Sequence, residues 1–368
     1  MQDVDKISLN FILSTGRTGS TLLSSMLNMH PKILSVSEEP FAYNLYPKYK
    51  NISHWTDKII EEFCYDFYLF SEGKLEPQFG TKQDLIDVLQ EHKNELTGEK
   101  AIKLAYFAFF PNKDKSQVNT IVDKELKFHF ILNDIIEYYP KSKFIVLCRD
   151  PRDNVLIKIK RGIKKNKKRS PLFFAKTWNY EYTTLNKKLG QCNQQNIFML
   201  KYEDLAKNPE ESLKKITNFL NVPYDRIMLN FAQKHIEDLK QLEKTISKDS
   251  KQYLSMFHEG LTQKINTDKI GIWKTQLTKE ENNMIWSVCK KPAFMHGYNS
   301  EDCTKIFKFK FHMFSALFRF FLIGIIIPKL YYALPFRMKY FIKKIKYGRN
   351  FKEEWWTSNE YFKKTVSG

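Results

Sequence analysis

The hydrophobic and polar positions of the first 40 residues predict alternating strands and a helix. The segment Ser8–Ser14 (SLNFILS) predicts a short buried strand. Apolar residues from Leu22 to Met29 recur at helical spacing, and His30-Pro31 predicts the end of that helix. Ile33–Val36 predicts a second strand. This order of strand, glycine-containing loop, helix and strand is typical of the start of a parallel α/β sheet.

The rest of the chain continues the pattern. Residues 41–97 are expected to be mostly helical and polar. Beyond them the pattern predicts strands and helices at Glu99–Leu104 (strand), Lys127–Tyr139 (helix), Lys143–Cys148 (strand), Ile197–Lys201 (strand) and Pro209–Leu220 (helix with a capped start). The predicted fold class is therefore α/β, with a central parallel sheet flanked by helices.

The positive charge is concentrated in two segments. The 368 residues contain 60 Lys and Arg against 41 Asp and Glu. Residues 158–169 hold eight basic residues and residues 303–350 hold eleven, with no acidic residue in either, and the remainder is balanced. This predicts two local sites for anions rather than a general nucleic-acid surface. Five cysteines without CxxC spacing, and no N-terminal signal-like run, predict a reducing, cytoplasmic setting, and no histidine spacing suggests a metal.

Two segments carry the chemistry of phosphate binding. Thr15–Thr21 follows the first strand and opens the helix, where backbone N–H groups and the helix dipole favour an anion. Arg17 adds a full charge, but Ser20 stands where an ATPase loop would carry lysine. Arg149 follows the strand that ends at Cys148, at the sheet edge where α/β proteins bind ligands. The alternatives are a glycine turn without ligand and an arginine paired with Asp150 or Asp153.

These two segments resemble the 5′-phosphosulfate loop and the 3′-phosphate motif of sulfotransferases, in FILSTGRTGSTLLSSMLNMHP and FIVLCRDPRDNV. The runs LKYEDLAKNPEESLKKITNFLNVP and KIGIWKTQLTKEE agree in order and spacing, so the resemblance extends from about Ser8 to Tyr298. It is similar to carbohydrate and tyrosyl-protein sulfotransferases in particular. The resemblance implies a P-loop NTPase-like sulfotransferase fold and the donor 3′-phosphoadenosine 5′-phosphosulfate (PAPS), without a metal.

The resemblance also implies roles for single residues. Arg17 corresponds to the family's catalytic cation at the leaving phosphate, Arg149 to the 3′-phosphate ligand, and Tyr202 to an aromatic residue near the adenine. The remaining implied donor ligands are Thr18, Gly19, Ser20, Thr21 and, by a looser match, Lys264. One position departs from the family: Ile157 stands eight residues after Arg149, where a serine is usual. Either Lys158 or its basic neighbours replace that serine's hydrogen bond, or the 3′-phosphate is held differently.

Related enzymes carry a glutamate base after the second strand, which here is either Glu38 or Glu39. If neither is the base, His129 and the segment from Lys100 to Lys103 are the next candidates. The two lysines are expected either near the sulfuryl group or as exposed strand residues.

The chain is expected to divide into a sulfotransferase domain, residues 1–300, and a basic aromatic extension, residues 301–368. Thirteen of the 48 residues from 303 to 350 are Phe or Tyr. The uncharged interval Phe320–Pro328 is short for a membrane span, so the sequence predicts either a peripheral contact with an anionic membrane surface or packing onto the domain.

The function predicted from sequence is sulfuryl transfer from PAPS to a hydroxyl of unknown identity, with a carbohydrate or glycan as the expected acceptor and no nucleic acid as partner. The competing hypotheses are a P-loop-like small-molecule kinase and a non-catalytic membrane-surface protein that retains the fold.

Overall fold

A computed structural model describes residues 4–37, 41–70, 82–107, 113–164, 170–234, 236, 265–299 and 313–347. Its centre is a parallel sheet of strands β1 (Ser8–Ser14), β2 (Ile33–Ser37), β3 (Thr120–Glu125), β4 (Phe144–Cys148) and β5 (Ile197–Lys201), in the spatial order β2-β3-β1-β4-β5. The α/β expectation is confirmed. Because β1 is central, the loop that follows it lies between its neighbours β3 and β4.

Helices cover both faces of the sheet. In chain order they are α1 (Ser20–Met29), α2 (Phe41–Tyr49), α3 (Asp57–Phe70), α4 (Lys82–Glu91), α5 (Gly98–Tyr106), α6 (Phe128–Tyr138), α7 (Pro151–Lys164), α8 (Pro171–Leu189), α9 (Tyr202–Lys207), α10 (Pro209–Phe219), α11 (Trp273–Gln276), α12 (Lys279–Met295), α13 (Phe314–Ala333) and α14 (Phe336–Tyr347). Short 3₁₀ turns lie at Val4–Lys6, Lys93–Glu95, Gln194–Asn196 and Arg226–Asn230.

The side chains of β1 divide the core into two layers. Phe11 and Leu13 point into a large cluster that includes residues of α2, α3, α5, α6, α8 and α12, whereas Ile12 points into a smaller cluster beneath α1 and α10. This alternation follows from the two-residue period of a strand. A strand apolar on both faces is expected for a parallel sheet covered by helices.

Several elements differ from the sequence expectation. The predicted strand Glu99–Leu104 is wrong, because the segment is helix α5, whose first turn is capped by the Thr97 hydroxyl accepting from the backbone N–H of Lys100. Strand β3 was not predicted, although its Ile121 and Val122 are fully buried. Residues 41–70 are helical as expected but not mostly polar, since their helices bury several aromatic side chains: Tyr49, Phe63, Phe67 and Phe70.

The described part of the C-terminal extension is helical and lies against the domain. Helix α13 contacts α8 and α6, and α14 contacts α3 and α2. The middle of α13, Phe320–Ile326, has π-helical hydrogen bonding. By length and composition alone, this 20-residue helix could cross a membrane. The sequence expectation was different because it counted only the uncharged interval, whereas the helix continues through Arg319 and Lys329.

Candidate active site

The loop between β1 and α1 is tightly turned and partly buried. Arg17 and Gly19 both have left-handed backbone conformations, with φ of 72° and 88°. The Thr18 hydroxyl donates to the carbonyl of Thr15 at 2.9 Å, and the Asn154 amide on α7 donates to the carbonyl of Gly16 at 2.9 Å. A left-handed non-glycine residue is uncommon and tends to mark a functional site. The loop therefore turns the N-terminal N–H groups of α1 toward the carboxyl edge of the sheet.

Gly19 makes room for the ring of Tyr202, the first residue after β5. A Cβ atom on Gly19 would lie 2.4 Å from Cδ2 of that ring. The guanidinium of Arg149 lies 4.1 Å from the ring centroid, a distance typical of a cation–π contact. The ring thus joins the loop after β1 to the arginine after β4, and the structure brings Gly19, Arg149 and Tyr202 together.

Arg149 is 4% exposed and only partly satisfied by the protein. Its Nη2 donates to the carbonyl of Lys269, whereas its Nε is buried without a hydrogen-bond partner among the described residues. A buried guanidinium N–H without a partner is costly, since charged donors normally keep strong acceptors. The Arg149 site therefore fits a phosphate oxygen as the missing acceptor.

Asp153 holds the segment that approaches Arg149 from the other side. Its carboxylate accepts from the backbone N–H groups of Gly271 at 2.7 Å and Trp273 at 3.0 Å. Burial raises the pKa of Asp153 to about 6, although these two hydrogen bonds and Arg149 act in the opposite direction. The alternative in which Arg149 pairs with Asp150 does not hold, because the partner of Asp150 is Arg152 at 2.7 Å.

Lys124 is a cation of this site that the sequence analysis missed. It lies on β3, is 1% exposed, and places Nζ 3.4 Å from the Thr21 hydroxyl in the first turn of α1. A cation at the N-terminus of this helix adds to the positive potential there. One sequence signal could have revealed this strand. The apolar pair Ile121 and Val122 is followed by the polar residues Asp123 and Lys124, which is typical of a strand that ends at a polar edge.

Ile157, where the resemblance led us to expect a serine, is half-buried on α7. The next residue, Lys158, extends over the loop, with Cε 3.9 Å from where a Cβ on Gly16 would lie. Burial lowers the pKa of Lys158, and the buried carboxylate of Glu181 on α8 opposes that shift. Of the part of the 158–169 run that the structure describes, residues 158–164, Lys158 lies against the loop.

A profile of the sulfotransferase family matches residues 10–226. The chain belongs to the sulfotransferase family. The match spans β1 to β5 and so includes the loop, Lys124, Arg149 and Tyr202.

The curated relatives described here are both named as protein-tyrosine sulfotransferases. A protein-tyrosine sulfotransferase of Drosophila melanogaster is 24% identical over 62% of this chain and 41% of its own length. A putative protein-tyrosine sulfotransferase of Caenorhabditis briggsae is 38% identical over 27% of this chain and 36% of its own. The chain thus spans less than half the length of either relative. Among solved structures, the sulfotransferase domain of the Synechococcus PCC 7002 olefin synthase is 19% identical, with a TM-score of 0.49, and covers 80% of this chain and 96% of that domain.

Three candidate residues lie outside the described residues. Glu38 and Glu39 follow β2 directly, and Lys264 precedes the segment that Asp153 holds, but the structure describes none of them. Their proposed roles stay predictions. The adjoining strand β2 ends at Ser37, at the same carboxyl edge as the loop and Arg149.

Lys100 and Lys103 are neither exposed nor on a strand. Lys100 is 8% exposed, and its Nζ pairs with Asp5 at 2.9 Å and Glu95 at 3.3 Å, which raises its pKa. Asp5 precedes β1, so this pair lies by the amino end of the strand, opposite the loop. Lys103 pairs with Glu99 on its own helix at 2.9 Å.

His129 is buried near the start of α6. Burial, together with the nearby Lys127, Lys188 and Lys158, lowers its pKa to about 3. The imidazole is therefore neutral at physiological pH. Within the described ranges, no group of three or more His, Cys, Asp or Glu side chains is placed to hold a metal ion.

Proposed function

We propose that the protein transfers a sulfuryl group from 3′-phosphoadenosine 5′-phosphosulfate to a hydroxyl acceptor. The observation that carries the proposal is the pairing of two anion sites at one sheet edge. One is the left-handed loop after β1 with Arg17, and the other is the buried, partly unsatisfied Arg149 after β4. A donor with phosphates at both ends of a nucleoside matches two such sites better than a single triphosphate does.

Different residues would bind different parts of the donor. The N–H groups of Gly19, Ser20 and Thr21 would hold the 5′-phosphate, with Thr18 bracing the loop through its bond to Thr15. Arg149 would bind the 3′-phosphate, with its unsatisfied Nε as one donor. Tyr202 contacts both Arg149 and Gly19, so it would fix the position of Arg149 relative to the loop. It would also border the adenine.

The chemistry needs little more than alignment and charge. The acceptor oxygen forms a bond to sulfur while the bond between sulfur and the bridging oxygen breaks, and the electron pair stays on the departing phosphate. By analogy with phosphoryl transfer, positive groups near that oxygen stabilise the transition state. Arg17 is the proposed catalytic cation. Lys124, whose Nζ lies 3.4 Å from the Thr21 hydroxyl, is a second candidate. The acceptor proton passes to a carboxylate, for which Glu38 and Glu39 are the candidates.

The acceptor proposed from the sequence is a carbohydrate hydroxyl. The curated relatives named as protein-tyrosine sulfotransferases support a second candidate, the phenol of a tyrosine in a peptide. Both acceptors present a hydroxyl to the same donor and require the same base. They differ in the size and shape of the molecule that the acceptor cleft would have to hold.

A transfer assay with ³⁵S-labelled PAPS tests the proposal and the base together. The acceptor panel would contain oligosaccharides and tyrosine peptides, and the variants would be Glu38→Gln and Glu39→Gln. One variant should lose ~10²–10⁴-fold in turnover, because glutamine cannot accept the proton, and the other should stay within about tenfold. Donor affinity should be nearly unchanged in both.

No transfer to any acceptor, despite saturable donor binding, would favour the non-catalytic alternative. If both glutamine variants keep wild-type turnover, neither glutamate is the base. Of the remaining candidates, His129 would then be a weak base, because burial and neighbouring lysines lower its pKa to about 3.

A further inference from the structure

The C-terminal helices α13 and α14 expose an unusual amount of apolar surface. Of the sixteen strongly exposed large hydrophobic side chains among the described residues, twelve lie between Phe314 and Ile345. We name these twelve the C-terminal apolar face: Phe314, Phe318, Phe321, Leu322, Ile323, Ile326, Ile327, Leu330, Met338, Phe341, Ile342 and Ile345. Contiguous exposed apolar surface on this scale usually marks an interaction site.

The exposed and buried positions of α13 follow helical spacing. Phe314, Phe318 and Phe321 are 67%, 60% and 54% exposed, whereas Ala316 and Phe320 are 8% and 5% exposed. The helix therefore has two apolar sides, one against the domain and one toward the surroundings. A helix on the surface of a water-soluble domain normally carries polar residues on its outer side.

The inner side of α13 is fixed to the catalytic domain by specific contacts. The ring of Phe320 meets Tyr180 of α8 edge to face, with centroids 6.2 Å apart. The ring of Tyr332 stacks on Phe130 of α6 at 5.5 Å, and its carbonyl accepts from the Tyr43 hydroxyl at 3.1 Å. A helix that crossed a bilayer would have to leave these partners. The contacts favour a helix that lies along the domain surface.

The outer side carries positive charge and no negative charge. Residues 313–347 contain no Asp or Glu. Arg319, Lys329, Arg337 and Lys344 are exposed beside the C-terminal apolar face. Aromatic and aliphatic side chains that enter the acyl boundary, with flanking Lys and Arg at the headgroups, fit an anionic lipid surface. A self-association face would not need this excess of one charge, which repels a second copy.

We propose that the C-terminal apolar face binds the protein to an anionic bilayer surface, with α13 lying in the plane of the membrane. The cytoplasmic leaflet supplies such a surface, in keeping with the cytoplasmic setting expected from the cysteines. The catalytic domain then sits directly on the membrane, because α13 and α14 are packed against it. This inference is independent of the proposed transferase activity.

Sedimentation with vesicles tests the proposal, using phosphatidylcholine alone and phosphatidylcholine with phosphatidylglycerol. The wild type should sediment with the anionic vesicles, and less as salt is raised. The triple variant Phe318→Ser, Leu330→Ser and Phe341→Ser should reduce partitioning more than tenfold. All three positions are at least 60% exposed, so the fold should be unaffected. Met295→Ser with Ile227→Ser is the matched control, because these residues are exposed elsewhere, and it should bind like the wild type.

Depth measurements decide how the helix lies. Ile323→Trp and Leu330→Trp, compared with the wild type, would be quenched by lipids brominated at different acyl positions. In-plane binding predicts the same shallow depth at both sites, whereas a spanning helix would place residue 323 about 10 Å nearer the bilayer centre than residue 330. Unequal depths, or equal sedimentation of the wild type and the triple variant, would overturn the proposal. So would a dimer in light scattering that the triple variant converts to a monomer without any vesicle binding.

Discussion

Gly19 is the residue at which backbone and packing constrain the site most tightly. Its φ is +88°, and an added Cβ would collide with the Tyr202 ring at 2.4 Å. We expect Gly19→Ala to lower the free energy of unfolding by about 1–3 kcal/mol and to weaken donor binding. Gly16→Ala is the control for stability, because its Cβ would meet only Cε of Lys158, at 3.9 Å. Urea unfolding of both variants checks this, and equal stabilities would contradict it.

Lys124 should matter for turnover more than any other lysine described on the sheet edge. Lys124→Met removes the charge near the Thr21 hydroxyl, and loss of one such preorganised donor typically costs ~10²–10³-fold in turnover. Lys100→Met is the matched control, because that lysine pairs with Asp5 by the amino end of β1. The account is wrong about Lys124 if both variants transfer labelled sulfate at similar rates.

Residues inside recognisable motifs could be predicted from sequence, and residues outside them could not. Arg17 and Arg149 stand in fixed positions after strong apolar strands, so their placement at one edge followed from the strand order. Lys124 was missed because its strand was missed. The contact between Tyr202 and Gly19 depends on two segments far apart in the chain, and spacing alone does not reveal it.

Asp153 couples helix α7 to the segment that carries Gly271 and Trp273. Its pKa of about 6 lies above the ordinary 3.8, so the folded protein binds the proton more tightly than the unfolded chain. Its contribution to stability therefore rises as pH falls from above 6 toward 4. Relative to Asp153→Asn, which does not titrate, the wild type should gain unfolding free energy between pH 7.5 and 4.5. Urea unfolding at both pH values measures the difference, and a loss over this range would contradict the burial account.

At the scale of elements, strong apolar runs with clear ends were predicted well. Strands β1, β4 and β5 and helices α1 and α6 lie within a residue or two of their expected positions. The strand prediction for Glu99–Leu104 failed because a short run of mixed polar and apolar residues is ambiguous. The Thr97 cap and the apolar positions 101, 102, 104 and 105 favour a helix. The start of α10 also differs, since Asn208 makes no side-chain cap there.

At the scale of the whole molecule, the C-terminal segment shows what composition cannot decide. The sequence left packing and membrane contact as alternatives. In the structure, α13 and α14 pack against the domain on one side and expose apolar side chains on the other. Packing onto the domain and contact with a membrane are therefore compatible. Tyr43 follows the candidate glutamates closely and contacts both Tyr332 and Lys339. The extension is therefore in contact with helix α2, which begins two residues after Glu39 in the sequence.

The central claim is that two phosphate sites at one sheet edge bind a nucleoside carrying both a 5′- and a 3′-phosphate. Isothermal titration calorimetry with 3′-phosphoadenosine 5′-phosphate tests it most directly, with AMP and Mg²⁺–ATP as comparisons and Arg149→Ala as the variant. We predict saturable binding of the bisphosphate, much weaker binding of the other two, and a loss of about 1.5–3 kcal/mol in the variant for the bisphosphate alone. Equal or tighter binding of Mg²⁺–ATP, or an Arg149→Ala variant that binds the bisphosphate like the wild type, would contradict the account.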